Sequence, residues 1–140
     1  MATPSSKPAE TVLVVDDDAE VLSLAVDILG EAGYTVLSTT DPRHALRLAR
    51  THPDPIHLLV TDVVMPLMNG MQLATEVQAL RPDVKVLLIS AYRTKETDDY
   101  RMRLGLRGLF LDKPFTIAAL TGAVRALLAD PARSPWRRPQ

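Results

Sequence analysis

Four aspartates, a serine and a lysine stand where they could do chemistry together. Asp16, Asp17 and Asp18 follow directly on a wholly apolar run, Val12–Val15. Asp62 follows Ile56–Thr61, Ser90 follows Val84–Ile89, and Lys113-Pro114 comes just after Leu109–Leu111. Carboxylates gathered at one point cannot all stay ionised without a counter-charge. A hard divalent cation supplies it: Mg2+ takes oxygen ligands, needs few carboxylates and keeps several waters. A lysine and a hydroxyl facing the same point add a cation and a donor. Such a set suits a phosphoryl group, whose equatorial oxygens metal and lysine neutralise while one carboxylate attacks phosphorus in line. Taken singly, most of these residues have plainer readings. Asp18 reads better as a helix N-cap than as a ligand. Ser90 alone is a loop hydroxyl, and Lys113 alone a solvated surface lysine. Asp62 is harder to set aside, because an unpaired carboxylate ending an apolar strand is costly.

What brings these residues together is the alternation of elements. Val12–Val15, Tyr34–Ser38, Ile56–Thr61, Val84–Ile89 and Leu109–Leu111 read as strands, the first of them apolar on both faces. Helical patterns lie between and after them. One covers Ala19–Ala32, with Val21, Leu22, Ala25, Ile28 and Leu29 on one face and Gly33 as its stop. A second opens at Asp41-Pro42, an N-cap followed by Pro at the first helical position, and runs through Arg50. Gly70–Leu80 is a third, ended by Arg81-Pro82. A polar fourth covers Lys95–Leu104, and Thr116 caps a fifth that runs through Ala129. Five strands alternating with five helices argue for an α/β fold, a parallel sheet covered on both faces. Ligands of such sheets sit beyond the carboxyl ends of the strands. The six residues above all fall there.

Composition narrows the function classes. With 140 residues there is room for one domain. Sixteen basic against 17 acidic residues give a formal charge of −1, which excludes a general nucleic-acid clamp. There is no cysteine, hence no disulfide, thiolate nucleophile or Cys-ligated zinc. No apolar run is long enough to span a membrane. Residues 1–10 are polar and lack a secretory core, so a cytoplasmic location is expected. Residues 1–10 and the Pro- and Arg-rich stretch 130–140 read as tails, leaving 11–129 as the folded unit. His44, His52 and His57 lack metal-ligand spacing and read as surface histidines.

The segments VLVVDDD (12–18), LLVTDVVMPLMNG (58–70), VLLISAY (86–92) and LDKPF (111–115) together resemble the receiver domains of two-component response regulators, over about residues 11–129. The resemblance implies a doubly wound, flavodoxin-like (βα)5 fold with strand order 2-1-3-4-5. It also implies roles. Asp62 matches the phosphorylated aspartate. Asp17 matches a direct Mg2+ ligand, and Asp16 the neighbouring acid that reaches the metal through water. The backbone carbonyl of Val64 completes the protein's share of the metal shell, and Mn2+ is an acceptable substitute. Ser90 matches the switch hydroxyl and Lys113 the lysine that pairs with the phosphoryl group, with a cis Lys113-Pro114 bond. Ala91 is small, as the family prefers, and Gly70 sits at the tight turn into the third helix. Phe110 matches the strand-five aromatic that turns inward on activation. Val64 and Tyr92 hold positions that tune dephosphorylation; neither carries a carboxamide or carboxylate to orient water, so slow self-hydrolysis is expected. From Gly105 to Lys113 the chain carries one residue more than the family pattern, before or within the fifth strand.

The implied partner is a histidine kinase or a histidine phosphotransfer protein, with an unnamed downstream target. The chain reads as a single-domain receiver, similar also to the receivers of hybrid kinases. It is too short for an added DNA-binding domain, and is a monomer or a weak dimer through helices 4 and 5. It is not an enzyme in the usual sense and catalyses only its own phosphorylation and dephosphorylation. Two alternatives stand beside this reading. One is a haloacid-dehalogenase-like phosphatase built on Asp16 and Asp18, which would leave Asp62 without a role. The other is a receiver-fold interaction module that no longer takes phosphate.

Overall fold

A computed structural model of the chain describes residues 9–91, 95, 98, 99, 102 and 108–129. The chain runs β1 (Thr11–Val15), α1 (Ala19–Glu31), β2 (Thr35–Thr39), α2 (Pro42–Thr51), β3 (Leu58–Asp62), α3 (Gly70–Leu80), β4 (Lys85–Ser90), β5 (Gly108–Asp112) and α4 (Ile117–Ala129). The strands form one parallel sheet in the order β2-β1-β3-β4-β5. This is the expected α/β topology. The chain steps outward from β1 to β2, then returns past β1 to lay down β3, β4 and β5. The direction reverses between β1 and β3, where the carboxyl ends of two neighbouring strands leave a crevice. Tyr92, most of the helix expected over 95–104, and both tails apart from Ala9 and Glu10 lie outside the described residues.

The unbroken apolar strands follow from burial on both faces. Leu13, Val15, Leu59, Val86 and Leu88 pack with α2 and α3, while Val12, Val14, Leu58, Val60, Leu87 and Ile89 pack with α1 and α4. Side chains alternate across a strand, so the middle of each central strand is apolar at successive positions. β2 is one of the two edge strands and is correspondingly half-exposed.

The helix ends are closed by specific partners. Asp18 caps α1, its carboxylate accepting from the N–H groups of Glu20 and Val21 at 3.0 and 3.3 Å. Gly33 ends it with φ of 103°, a conformation that side chains resist. Asp41 caps α2, and Asn69 and Gln72 form a reciprocal capping box at α3. Two C-termini are held by cations from other elements. The Arg81 guanidinium donates to the carbonyls of Ala49 at 2.6 Å, Asp54 at 2.8 Å and His52, closing the end of α2. Lys85 Nζ donates to Leu127 O at 2.6 Å, at the end of α4, whose last turn has no basic residue of its own. Arg81→Ala is therefore expected to lower stability by about 2 kcal/mol in urea unfolding, because three carbonyls lose a charged donor together. Arg81→Lys should recover little, since an ammonium cannot span three acceptors as the guanidinium fork does.

β5 pairs residue for residue with β4, from Val86↔Gly108 to Ser90↔Asp112. No bulge interrupts this register, and the residues just before Gly108 lie outside the described residues. Phe110, opposite Leu88, packs partly buried against the core on the α2 and α3 face.

Candidate functional site

Each residue of the site lies at, or within two residues of, the carboxyl end of a strand. β1 ends at Val15 and hands over Asp16, buried, and Asp17, exposed. Asp62 is the last residue of β3 and is buried at 7% exposure. Ser90, also buried, ends β4. Lys113 follows β5, and the Lys113-Pro114 bond is cis, as expected.

The geometry draws these residues to one point. Lys113 Nζ lies 3.0 Å from Asp16 Oδ2 and 3.4 Å from Asp62 Oδ2. Oxygens of Asp16, Asp17 and Asp62 all lie within 4.8 Å of one another. Asp16 is fixed from its other side, its Oδ1 accepting from the Asp18 N–H at 2.9 Å. The Lys113 N–H donates to Ser90 O at 2.9 Å, which ties the lysine's backbone to the end of β4.

The charges are out of balance. Three carboxylates face one ammonium, and two of the carboxylates are buried. Burial pushes the Asp62 carboxyl up to about 6, Asp16 adds to this, and the Lys113 ammonium only partly offsets both. Burial works against the charge of Lys113 as well, but the Asp16 and Asp62 carboxylates outweigh it and hold the ammonium above the usual lysine range. Carboxylate oxygens in this number, with a net negative charge left over, fit a hard divalent cation. Thiolate and imidazole ligands are absent from the cluster, so a soft metal is not what the donor set suits.

Of the residues singled out in the sequence, the structure brings together Asp16, Asp17, Asp62 and Lys113, with Ser90 on the adjoining strand. Val64 lies in the loop two residues past Asp62, with its side chain exposed. Tyr92 lies outside the described residues. Asp18 caps α1, as the sequence suggests, through one carboxylate oxygen. The histidines are more engaged than expected. His57 Nδ1 accepts from the Thr11 N–H at 2.9 Å, and His44 Nδ1 lies 3.0 Å from Thr39 Oγ1.

Two features beside the site were missed in the sequence. Thr61, fully buried, donates its hydroxyl to Asp62 O at 3.0 Å. A hydroxyl in the otherwise apolar strand LLVTD is a visible signal, though its target is not. The second is a pocket of about 300 Å³ beside Lys113, lined by Val21, Leu24, Ala91, Pro114 and Phe115. Leu24 is half-exposed there.

Known proteins resemble the chain in sequence and in shape. The family model of the response regulator receiver domain matches residues 12–125. The DNA-binding transcriptional regulator NtrC of Rhizobium meliloti is 37% identical over 126 residues, which is 89% of this chain and 25% of NtrC. The transcriptional regulatory protein PrrA of Mycobacterium leprae is 37% identical over 129 residues, 91% of this chain and 53% of PrrA. The chain thus spans between a quarter and about half the length of these curated relatives. Among solved structures, the receiver domain of the hybrid histidine kinase CckA superposes with a TM-score of 0.70 at 31% identity, covering 84% of this chain and 98% of that one.

Proposed function

The chain belongs to the response regulator receiver domain family, and from that membership we propose that Asp62 is its phosphoacceptor, served by Asp16, Asp17, Ser90 and Lys113. The observation that carries the reading is the cluster itself: a buried strand-end carboxylate within reach of a lysine and two further carboxylates. The donor is a phosphohistidine on a histidine kinase or phosphotransfer protein. An Asp62 oxygen forms a bond to phosphorus while the phosphorus–nitrogen bond to the imidazole breaks, and the freed nitrogen takes up a proton. Lys113 Nζ, already 3.4 Å from Asp62, moves with the charge onto a phosphoryl oxygen. The Ser90 hydroxyl, at the end of the adjoining strand, donates to another. Asp16 keeps Lys113 anchored meanwhile.

Asp16, Asp17, Asp62 and the Val64 carbonyl would hold Mg2+, with Mn2+ as a substitute. When bound, the ion neutralises charge on the transferring phosphoryl group. The apolar pocket beside Lys113 offers a seat for the donor protein next to the acceptor. As a receiver domain, formed here by residues 11–129, the chain is not a classical enzyme; the chemistry proposed is its own phosphorylation, in the cytoplasm. Among the described residues no helix is long and apolar enough to cross a membrane.

The test is intact mass after incubation with acetyl phosphate, with and without Mg2+, repeated with a phosphorylated histidine kinase as donor. Gain of one phosphoryl group that requires Mg2+ is expected. No gain from either donor would leave a phosphate-independent interaction module. A second expectation concerns lifetime. The Val64 side chain is exposed beside the site and cannot orient a water, so the phosphoryl group should persist for minutes or longer. Val64→Asn, which offers a carboxamide, should shorten that lifetime by about tenfold. A wild-type half-life of seconds would contradict this.

A further inference from the structure

The carbonyl of Asp62 is held as deliberately as its carboxylate. Thr61 is fully buried, and its neighbours along β3 are Leu58, Leu59 and Val60. Its side chain points to the opposite face of the sheet from that of Asp62, toward α2 and α3, because strand side chains alternate. It therefore meets Asp62 only through the backbone, donating its hydroxyl to Asp62 O at 3.0 Å. Against the same oxygen lies Gly70, so close that a Cβ built there would sit 2.1 Å from it. The same peptide is pinned at its other end, and the next one is pinned as well. The Val63 N–H donates to Ile89 O at 3.0 Å, and the Gly70 N–H donates to Val63 O at 2.8 Å.

A valine has the shape of threonine and would suit the apolar surroundings without a polar atom to satisfy. Threonine at this position has one evident use for its hydroxyl, and that use is the Asp62 carbonyl. Its branched Cβ restricts χ1, so the hydroxyl is a stiff peg and not a mobile donor. The carbonyl carbon is bonded to Cα, so a shift of the Asp62 carbonyl shifts Cα with it and moves the carboxylate relative to Lys113 and Asp16.

Resting on the reading of Asp62 as phosphoacceptor, we infer that Thr61 is a positioning residue: its buried hydroxyl, with Gly70 opposite, locks the Asp62 peptide and so aims the carboxylate at the incoming phosphorus. The rate of an in-line displacement is sensitive to displacements well below the size of an atom. The hydroxyl should therefore affect turnover of bound donor more than donor binding.

The experiment compares Thr61→Val, which keeps the shape, with Thr61→Ser, which keeps the hydroxyl. Phosphoryl uptake from acetyl phosphate is followed by intact mass across donor concentrations at saturating Mg2+, beside urea unfolding of each protein. Thr61→Val is expected to lower the maximal uptake rate by about tenfold with little change in the half-saturating donor concentration. It should lose some stability, because a buried carbonyl loses its donor, and Thr61→Ser should recover most of the rate. Uptake by Thr61→Val at the wild-type rate would overturn the inference. So would rate losses in both variants that follow their losses of stability, since a merely structural role predicts that. Failure of the wild-type chain to take up phosphate would instead remove the phosphoacceptor reading on which the inference stands.

Discussion

Asp62→Asn should take up no phosphoryl group from acetyl phosphate or from a phosphorylated kinase, and in metal-free buffer near pH 7.5 it should also be more stable than the wild-type chain. The first outcome follows from removing the only nucleophile proposed. An amide nitrogen cannot replace a carboxylate oxygen in that role, and Asp16 is committed to Lys113 and to the Asp18 N–H. Uptake that survived in the variant would move the site to Asp16 and revive the phosphatase reading.

The second outcome is a matter of charge. In the folded chain Asp62 binds its proton more tightly than the ordinary aspartate value of 3.8 allows, with its carboxyl pushed up to about 6. A group whose folded value is raised contributes its stability below the unfolded value and loses it as pH climbs through the folded one. Ionised Asp62 is therefore a cost at pH 7.5, and a neutral amide removes it. The gain is about 1–3 kcal/mol, reduced where solvent reaches the cluster. It should shrink toward zero near pH 4, where the wild-type carboxyl is itself protonated. Adding Mg2+ should narrow the gap at pH 7.5, because the wild-type chain keeps all three carboxylates for the ion and the variant keeps two. Thermal unfolding at the two pH values, in EDTA and in Mg2+, reads all of this. A variant less stable than wild type in EDTA at pH 7.5 would show that Lys113 already compensates the cluster fully.

The residues of this cluster were legible in the sequence because each closes an apolar run, and the rule that parallel sheets bind ligands at their carboxyl ends needs nothing else. The caps at Asp18, Asp41 and Thr116 were legible too, since a cap acts within its own first turn. What stayed hidden depends on groups far apart in sequence. Arg81 closes the end of a helix some 30 residues earlier, donating to Ala49 O and His52 O. Lys85, at the start of a strand pattern, reaches the carbonyl of Leu127. His57 accepts from Thr11 across 46 residues, where it read as an ordinary surface histidine. Backbone carbonyls leave no mark in a sequence, so a side chain that seeks one looks like a polar residue out of place. Thr61 in LLVTD is the instructive instance. The mismatch of a hydroxyl with an apolar run was in view, but only the fold shows that the oxygen it serves belongs to Asp62.

Gly70 separates two reasons for glycine that a sequence cannot tell apart. Gly33 ends α1 with a positive φ, so its role is conformational. Gly70 has no such φ, and its role is close approach: a Cβ would lie 2.1 Å from Asp62 O and 3.1 Å from the Cα of Val63. Both obstacles are backbone, at the end of a central strand with β4 alongside, so neither can swing aside as a side chain would. Gly70→Ala must then push the N-terminus of α3 away from β3 or turn the Asp62 peptide. Either breaks the 2.8 Å bond from the Gly70 N–H to Val63 O. Overpacking of this kind costs about 1–3 kcal/mol in an ordinary core, and the immobile partners here argue for the upper end or beyond. Uptake of phosphate should fall as well, since the displaced peptide carries the acceptor. The controls are internal to the chain. Gly30 in α1 and Gly122 in α4 are helical, and a Cβ added at either would meet nothing within 4 Å, so Gly30→Ala and Gly122→Ala should each raise stability by about 0.4–1 kcal/mol. Urea unfolding of the three variants gives opposite signs from the same substitution if close approach is what distinguishes Gly70. A Gly70→Ala chain as stable as wild type, with uptake intact, would mean that α3 does not rest on the Asp62 carbonyl in solution.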